Sequence, residues 1–270
     1  MHFSRVTEGF RAVCSAPWTL VPVPVERLRS GRVLVISLQR EEKRNAIDEE
    51  MALGIDGALN ELEDDDDLWV GIVTGSTGVF SAGTDLRVGS GSGTERGGPY
   101  GIIRRRRTKP LIAAVEGVAL GGGMEIVLSC DLVVASRSAT FGLPEVKRGL
   151  LALYGGVFRS ARSLPLNVAR EIVLTGDPIG AVRAERHGLV NAVTEPGEAL
   201  AGALELAERI CANAPVAVRE SLRLIGDCAV TEDRAWSLTE EAMAVVMASE
   251  DTREGLAAFF EHRPPEWRGR

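Results

Sequence analysis

Two glutamates stand out in this sequence because of the residues that precede them. Glu125 follows three glycines in Ala119-Leu120-Gly121-Gly122-Gly123-Met124-Glu125, and Glu145 follows a proline in Phe141-Gly142-Leu143-Pro144-Glu145. Glycine lets backbone N–H groups approach a ligand with no Cβ in the way. A helix opening after such a turn adds free N–H donors and the positive end of its dipole. That combination suits an anion, or an oxyanion that develops during a reaction, and it is equally the chemistry of a tight strand-to-helix turn. Alone, each glutamate reads as a carboxylate favoured in the first turn of a helix. Together on one apolar-walled site, desolvation would raise at least one pKa and create a proton donor near neutrality. A third segment, Val79-Phe80-Ser81-Ala82-Gly83-Thr84-Asp85-Leu86, either links a strand to a loop or aims a second backbone N–H at a bound carbonyl.

Other chemistries lack their residues. No Lys-Ser or Lys-Thr follows the glycines, so they do not form a phosphate-binding P-loop, and G-x-G-x-x-G is absent. A G-x-S-x-G nucleophile elbow is missing as well. The three histidines (His2, His187, His262) and the four cysteines without a C-x-x-C pair (Cys14, Cys130, Cys211, Cys228) argue against a metal site. That cysteine usage fits a reducing compartment. The net charge of −7 argues against nucleic acid as a partner. One basic run, Arg104-Arg105-Arg106-Arg107, could meet a small phosphorylated ligand. Charges at Arg5, Glu8 and Arg11 disfavour a secretory signal, and there is no apolar run of about eighteen residues to span a membrane. The expected location is the cytoplasm.

The elements that must position these residues follow from periodicity. Residues 1–20 read as an N-terminal extension, with order beginning near Val21. Residues 23–28 and 32–38 predict two strands around a Ser30-Gly31 turn. Asp48 then caps a helix with Met51, Ile55, Leu59 and Leu62 on one face, closed by a solvated acidic run at 64–67. Continuous apolar runs at 70–74, 111–115 and 132–135 predict buried strands. A helix is expected over about 125–130, and the Gly- and Ser-rich segment 88–98 reads as a mobile loop. Alternating strands and helices give an α/β architecture. After residue 195 the spacing is helical throughout, at 200–212, 216–228, 231–248 and 252–260, with Trp236, Met243, Val246 and Met247 as one buried face. The expected organisation is therefore an extension (1–20), an α/β core (21–195) and a helical subdomain (196–270).

In order along the chain, Lys43-Arg44-Asn45-Ala46-Ile47, the Phe80–Leu86 segment, the Gly121–Glu125 turn, Cys130-Asp131 and the Phe141–Glu145 segment together resemble the crotonase, or enoyl-CoA hydratase/isomerase, family. The tail resembles it too, in Ser249-Glu250-Asp251-Thr252-Arg253-Glu254-Gly255 and Phe260-Glu261-His262-Arg263. The resemblance implies a ClpP-like spiral of ββα repeats with a C-terminal helical trimerisation region, assembled as a homotrimer or a hexamer. It implies a coenzyme A thioester as substrate, with no separate cofactor, and a role in lipid or fatty acid metabolism. By motif position, the N–H groups of Thr84 and Gly122 form the oxyanion hole. Arg44, Ala46, Ala82, Asp85 and Leu86 line the coenzyme A path, and the arginine run assists with phosphates. Hydratases of the family carry both glutamates, so the implied reaction is reversible hydration of a 2-enoyl-CoA, with Glu125 activating water and Glu145 exchanging the Cα proton. The alternatives are a carnitinyl-CoA-like dehydratase, an isomerase or thioester hydrolase of the same fold, or a non-catalytic acyl-CoA-binding member. One departure bears on substrate: Leu153 and Tyr154 occupy a stretch where hydratases usually carry Pro-Gly, with Leu153 in place of a glycine.

Overall fold

The structure, a computed structural model, describes residues 24–76, 78–89, 91, 93–226, 241 and 244–270. The expected extension at 1–20, together with Trp236 and Met243, lies outside these residues. The chain opens with β1 (Val25–Ser30) and β2 (Val33–Leu38), an antiparallel hairpin about the expected turn. Helix α1 (Glu49–Asp64) follows, and the Asp48 carboxylate accepts from the Met51 N–H at 2.9 Å, which satisfies one of the free donors of the first turn. Met51, Ile55, Leu59 and Leu62 are all fully buried. At its end, Asp65 and Asp67 pair with Arg29 and Arg32 of the hairpin, so the acidic run is tied to its neighbours as well as solvated.

Three strand pairs come next: β3 (Val70–Thr74) with β4 (Val79–Ser81), β5 (Leu111–Val115) with β6 (Val118–Leu120), and β7 (Leu132–Ser136) with β8 (Thr140–Gly142). The first strand of each pair enters one sheet and the second enters another. Helix α2 (Gly122–Val127) lies between β6 and β7. The chain continues through α3 (Gly156–Ser163), α4 (Leu166–Thr175), β9 (Ile179–Gly180), α5 (Ala181–Arg186) and β10 (Ala192–Thr194). It finishes with α6 (Ala199–Cys211), α7 (Pro215–Gly226) and α8 (Glu250–Glu261). The six-stranded sheet runs β1-β2-β3-β5-β7-β10 and the four-stranded sheet β4-β6-β8-β9. Apart from the β1–β2 and β8–β9 pairs, neighbours are parallel.

Strands β3 and β5 are buried at every position, as parallel strands covered on both faces must be. Alternation decides which face each side chain serves. Val33, Val35, Ile72, Ile112 and Ala114 pack toward α6, where Ala203 and Ala207 leave room for close approach. Leu34, Ile36, Val73, Ala113 and Val115 face the opposite way, toward α1 and α2. Just after β5, the buried Glu116 carboxylate accepts from the N–H groups of Gly197 (3.0 Å) and Ala199 (2.9 Å), closing the N-terminus of α6. Glu116→Ala leaves the Ala199 donor buried and unpaired and the Gly197 donor to solvent, so it should lower unfolding free energy by about 1–2 kcal/mol. Urea denaturation followed by circular dichroism would show this, and an unchanged midpoint would contradict it. No described helix is long and apolar enough to cross a membrane.

Candidate active site

Glu125 stands in the first turn of α2 and is only 2% exposed. The helix begins earlier than its sequence spacing suggests, at Gly122 rather than Glu125, because Gly121 takes φ 55° and turns the chain out of β6. It stops at Val127 because the Ser129 and Cys130 amides bond three residues back and tighten the last turn. The Glu125 Oε1 atom accepts from the Tyr154 N–H at 2.7 Å and the Gly156 N–H at 3.0 Å. A loop remote in sequence thus fixes the direction of this carboxylate. Burial pushes its pKa up to about 6, and the charge of Glu145 acts the same way, against the two amide hydrogen bonds.

Glu145 lies in a short 3-10 helix, Pro144–Arg148. Burial raises its carboxyl above the usual range as well. Its Oε2 atom is buried and has no hydrogen-bond partner among the described residues, and a buried polar atom of this kind calls for an explanation. A Cβ at Gly121 would lie 3.1 Å from Glu145 Oε1, so the carboxyl sits against the residue that opens α2. The structure therefore brings both glutamates to the same helix N-terminus.

The two expected amide donors meet there too. A Cβ at Gly83 would lie 2.7 Å from Gly122 N and 2.9 Å from Leu120 O, so the two segments touch backbone to backbone, and only glycine tolerates this approach at φ 94°. Thr84 is the next residue. It is held by a parallel bridge to Ile47, in which Ile47 N–H donates to Gly83 O and Asp85 N–H donates to Ile47 O. The Thr84 and Gly122 amides have no acceptor among the described residues. Two free N–H donors beside two desolvated carboxyls can hold a carbonyl oxygen while protons move at neighbouring atoms.

The residues expected along the coenzyme A path share one edge of this site. Ala82 N–H donates to Arg44 O at 3.0 Å, which ties the Arg44–Ile47 and Ala82–Leu86 segments together. Arg44 and Leu86 are exposed, and Ala46, Ala82 and Asp85 half-buried. The Asp85 carboxylate is engaged by Arg40 at 3.0 Å and by the Arg87 N–H at 3.1 Å, so along this edge only its backbone is left to meet a ligand. The arginine run departs from expectation. Arg105 is buried against Asp56 and Asn60, and Arg107 pairs with Asp131, so only Arg104 and Arg106 are exposed. Past the turn at 102–104 the backbone is irregular, Arg105 and Arg107 turn toward acidic partners while Arg104 and Arg106 face solvent, and a buried Arg must be paired. The segment expected to be mobile is anchored at Thr94, which bonds Asp56 at 2.6 Å. Leu153 is 73% exposed and does not enter the site, whereas the adjacent Tyr154 does.

Tyr100 was not apparent from the sequence. It is 1% exposed, its hydroxyl is 2.5 Å from Thr84 Oγ1, and its ring meets Tyr154 edge-on at 4.9 Å between centroids. A Cβ at Gly122 would lie 2.4 Å from its hydroxyl oxygen. Its φ of 56° is a left-handed conformation that costs a non-glycine residue about 1–2 kcal/mol. The one sequence signal was an aromatic residue set among Gly97, Gly98 and Gly101.

Comparison with known proteins matches the enoyl-CoA hydratase/isomerase family model to residues 29–270. The chain is 42% identical over 246 residues to a mevalonyl-coenzyme A hydratase of Aspergillus fumigatus, covering 87% of this chain and 91% of that protein. It is 38% identical over 253 residues to an enoyl-CoA hydratase of Mycobacterium tuberculosis, covering 90% and 95%. Among solved structures, an enoyl-CoA hydratase of Mycobacterium tuberculosis H37Rv superposes with a TM-score of 0.89 at 42% identity, over 92% of this chain and 100% of that one.

Proposed function

Because the chain belongs to the enoyl-CoA hydratase/isomerase family, with the crotonase fold, we propose that its hydro-lyase chemistry is the addition of water to a 2-enoyl-CoA through Glu125 and Glu145. The observation that carries this reading is the meeting of the buried Glu125 carboxyl and the half-buried Glu145 carboxyl at one pair of amides without acceptors among the described residues. The thioester oxygen lies between the Thr84 and Gly122 N–H groups. Glu125 takes a proton from water, and the water oxygen bonds to C3. The C2=C3 electron pair moves toward the thioester, and the oxygen charge of the resulting enolate is stabilised by the two amides. Glu145 then delivers a proton to C2, and the thioester carbonyl re-forms. Glu125 ends protonated and Glu145 ionised, so one proton exchange restores the starting state. Coenzyme A is part of the substrate, and the reaction needs no further cofactor.

Incubation of the purified protein with crotonyl-CoA should lower the enoyl absorbance to an equilibrium value and yield the 3-hydroxyacyl thioester. No turnover of crotonyl-CoA or of branched and polar 2-enoyl-CoA esters would overturn the proposal. A polar acyl group is the second reading, favoured by the hydroxyls of Tyr100 and Thr84 beside the amides and by the mevalonyl-coenzyme A relative. Homotrimer or hexamer assembly belongs to the same proposal, supported by the exposed Leu150, Leu151, Leu153 and Phe158. So does a place in cytoplasmic lipid metabolism.

The pH dependence follows from the roles. Glu125 must be ionised to accept the water proton, and its pKa is raised to about 6 from 4.5. Hydration kcat/KM should therefore fall tenfold per unit as pH drops below about 6, a limb that belongs to the coupled pair of glutamates. A profile flat down to pH 5 would remove Glu125 from the role of base.

A further inference from the structure

We propose that Tyr100 is a positioning residue of the oxyanion hole, its buried hydroxyl locking Thr84 so that the Thr84 N–H stays aimed beside that of Gly122. The proposal rests on the reading of those two amides as the hole that holds a thioester oxygen. Three observations lead to it. The hydroxyl of Tyr100 is 2.5 Å from Thr84 Oγ1 and, by the Cβ that Gly122 cannot carry, packs directly on Gly122. One side chain thus touches both residues that supply the donors. Thr84 lies beyond the end of β4, where its backbone joins one bridge, to Ile47, and among the described residues its side chain has no hydrogen bond besides that to Tyr100. Electrostatic stabilisation depends on donors fixed before the charge develops, and a donor beyond the end of a strand has no ladder partner to fix its direction.

The third observation is how firmly Tyr100 itself is held. Its backbone is left-handed at φ 56°, flanked by Gly98 at 66° and Gly101 at 75°. A Cβ at Gly101 would lie 2.4 Å from Ala52 O, so the turn is pressed against α1. Thr94 and Arg105 both bond Asp56 of the same helix and bracket the turn from either side. Strained, buried and over-determined backbone of this kind marks positions where a side chain is required in one place. The Tyr154 ring, edge-on to Tyr100, completes the support, and the Tyr154 N–H is one of the two that orient Glu125. The tyrosine pair therefore connects the amide donors to the acid–base residue.

The test uses the full-length protein and 2,4-hexadienoyl-CoA, whose absorbance moves to longer wavelength when its carbonyl is polarised. Tyr100→Phe keeps the ring and removes one hydroxyl. It should lose at least half of the wild-type absorbance shift and about tenfold in kcat on crotonyl-CoA, with KM within twofold and a thermal midpoint within a few degrees. Thr84→Val should match it, Thr84→Ser should restore near-normal values, and the double variant should be no worse than either single one. A full shift with unchanged kcat in Tyr100→Phe overturns the inference. So do losses that multiply in the double variant, or a lowered midpoint alone. A wild-type protein that shifts the probe but hydrates no 2-enoyl-CoA would overturn the proposed function and leave this inference to be judged on the shift. A wild-type protein that hydrates a 2-enoyl-CoA without shifting the probe overturns this inference alone, and one that does neither overturns both.

Discussion

Glu125→Gln is expected to reduce kcat for crotonyl-CoA hydration by at least about a hundredfold, in the range for loss of a general base. The substitution is informative because it should spare the fold. A glutamine carbonyl oxygen can still accept from the Tyr154 and Gly156 N–H groups that hold Glu125 Oε1 at 2.7 and 3.0 Å. It also removes a group whose ionised form is disfavoured by burial. The sign is clear: a carboxyl raised from 4.5 to about 6 binds its proton more tightly in the native state. The ionised native protein is therefore the less stable one, with the stabilising contribution present below the unfolded value and lost as pH rises through about 6. An amide that cannot ionise should leave the protein at least as stable above pH 6. A variant with near-normal turnover would remove Glu125 from the chemistry, and an unfolded one would contradict the expectation that a glutamine oxygen replaces the carboxylate in those two hydrogen bonds.

Glu145→Gln should be comparably damaging, and its signature should differ. Its Oε2 atom, without a partner among the described residues, and its contact with Gly121 suit the proposed proton exchange at C2. Exchange of the C2 hydrogens of butyryl-CoA with deuterated water needs a base at C2 and a stabilised enolate, but no attack at C3. Glu145→Gln should therefore lose that exchange by at least about a hundredfold along with hydration. Glu125→Gln should keep most of the exchange while losing hydration. Nuclear magnetic resonance of the recovered thioester separates the two outcomes, and equal exchange losses in both variants would argue against separate roles.

Much of this arrangement is legible in the sequence because it is encoded locally. Continuous apolar runs marked β3, β5 and β7, and the spacing of Met51, Ile55, Leu59 and Leu62 marked the buried face of α1. A parallel strand covered on both faces must be apolar throughout, and a helix with one covered face must repeat at its own period. The Asp48 cap and the glycine turn before Glu125 are local requirements of the same kind.

The amino-acid sequence by itself determined which residues could do the chemistry: two glutamates behind glycine and proline turns, and glycines that let amides come close. Only the tertiary structure decided what those residues meet. It turned Glu125 toward amides 29 and 31 residues away. It divided four consecutive arginines between buried ion pairs and solvent, left Leu153 outside the site, and brought Tyr100 onto Thr84 and Gly122. The physical reason is that periodicity and turn chemistry report what a residue's chain neighbours require. Desolvation, a shared hydroxyl contact and the absence, among the described residues, of a partner for Glu145 Oε2 are properties of surroundings assembled from distant segments, and no local spacing carries them.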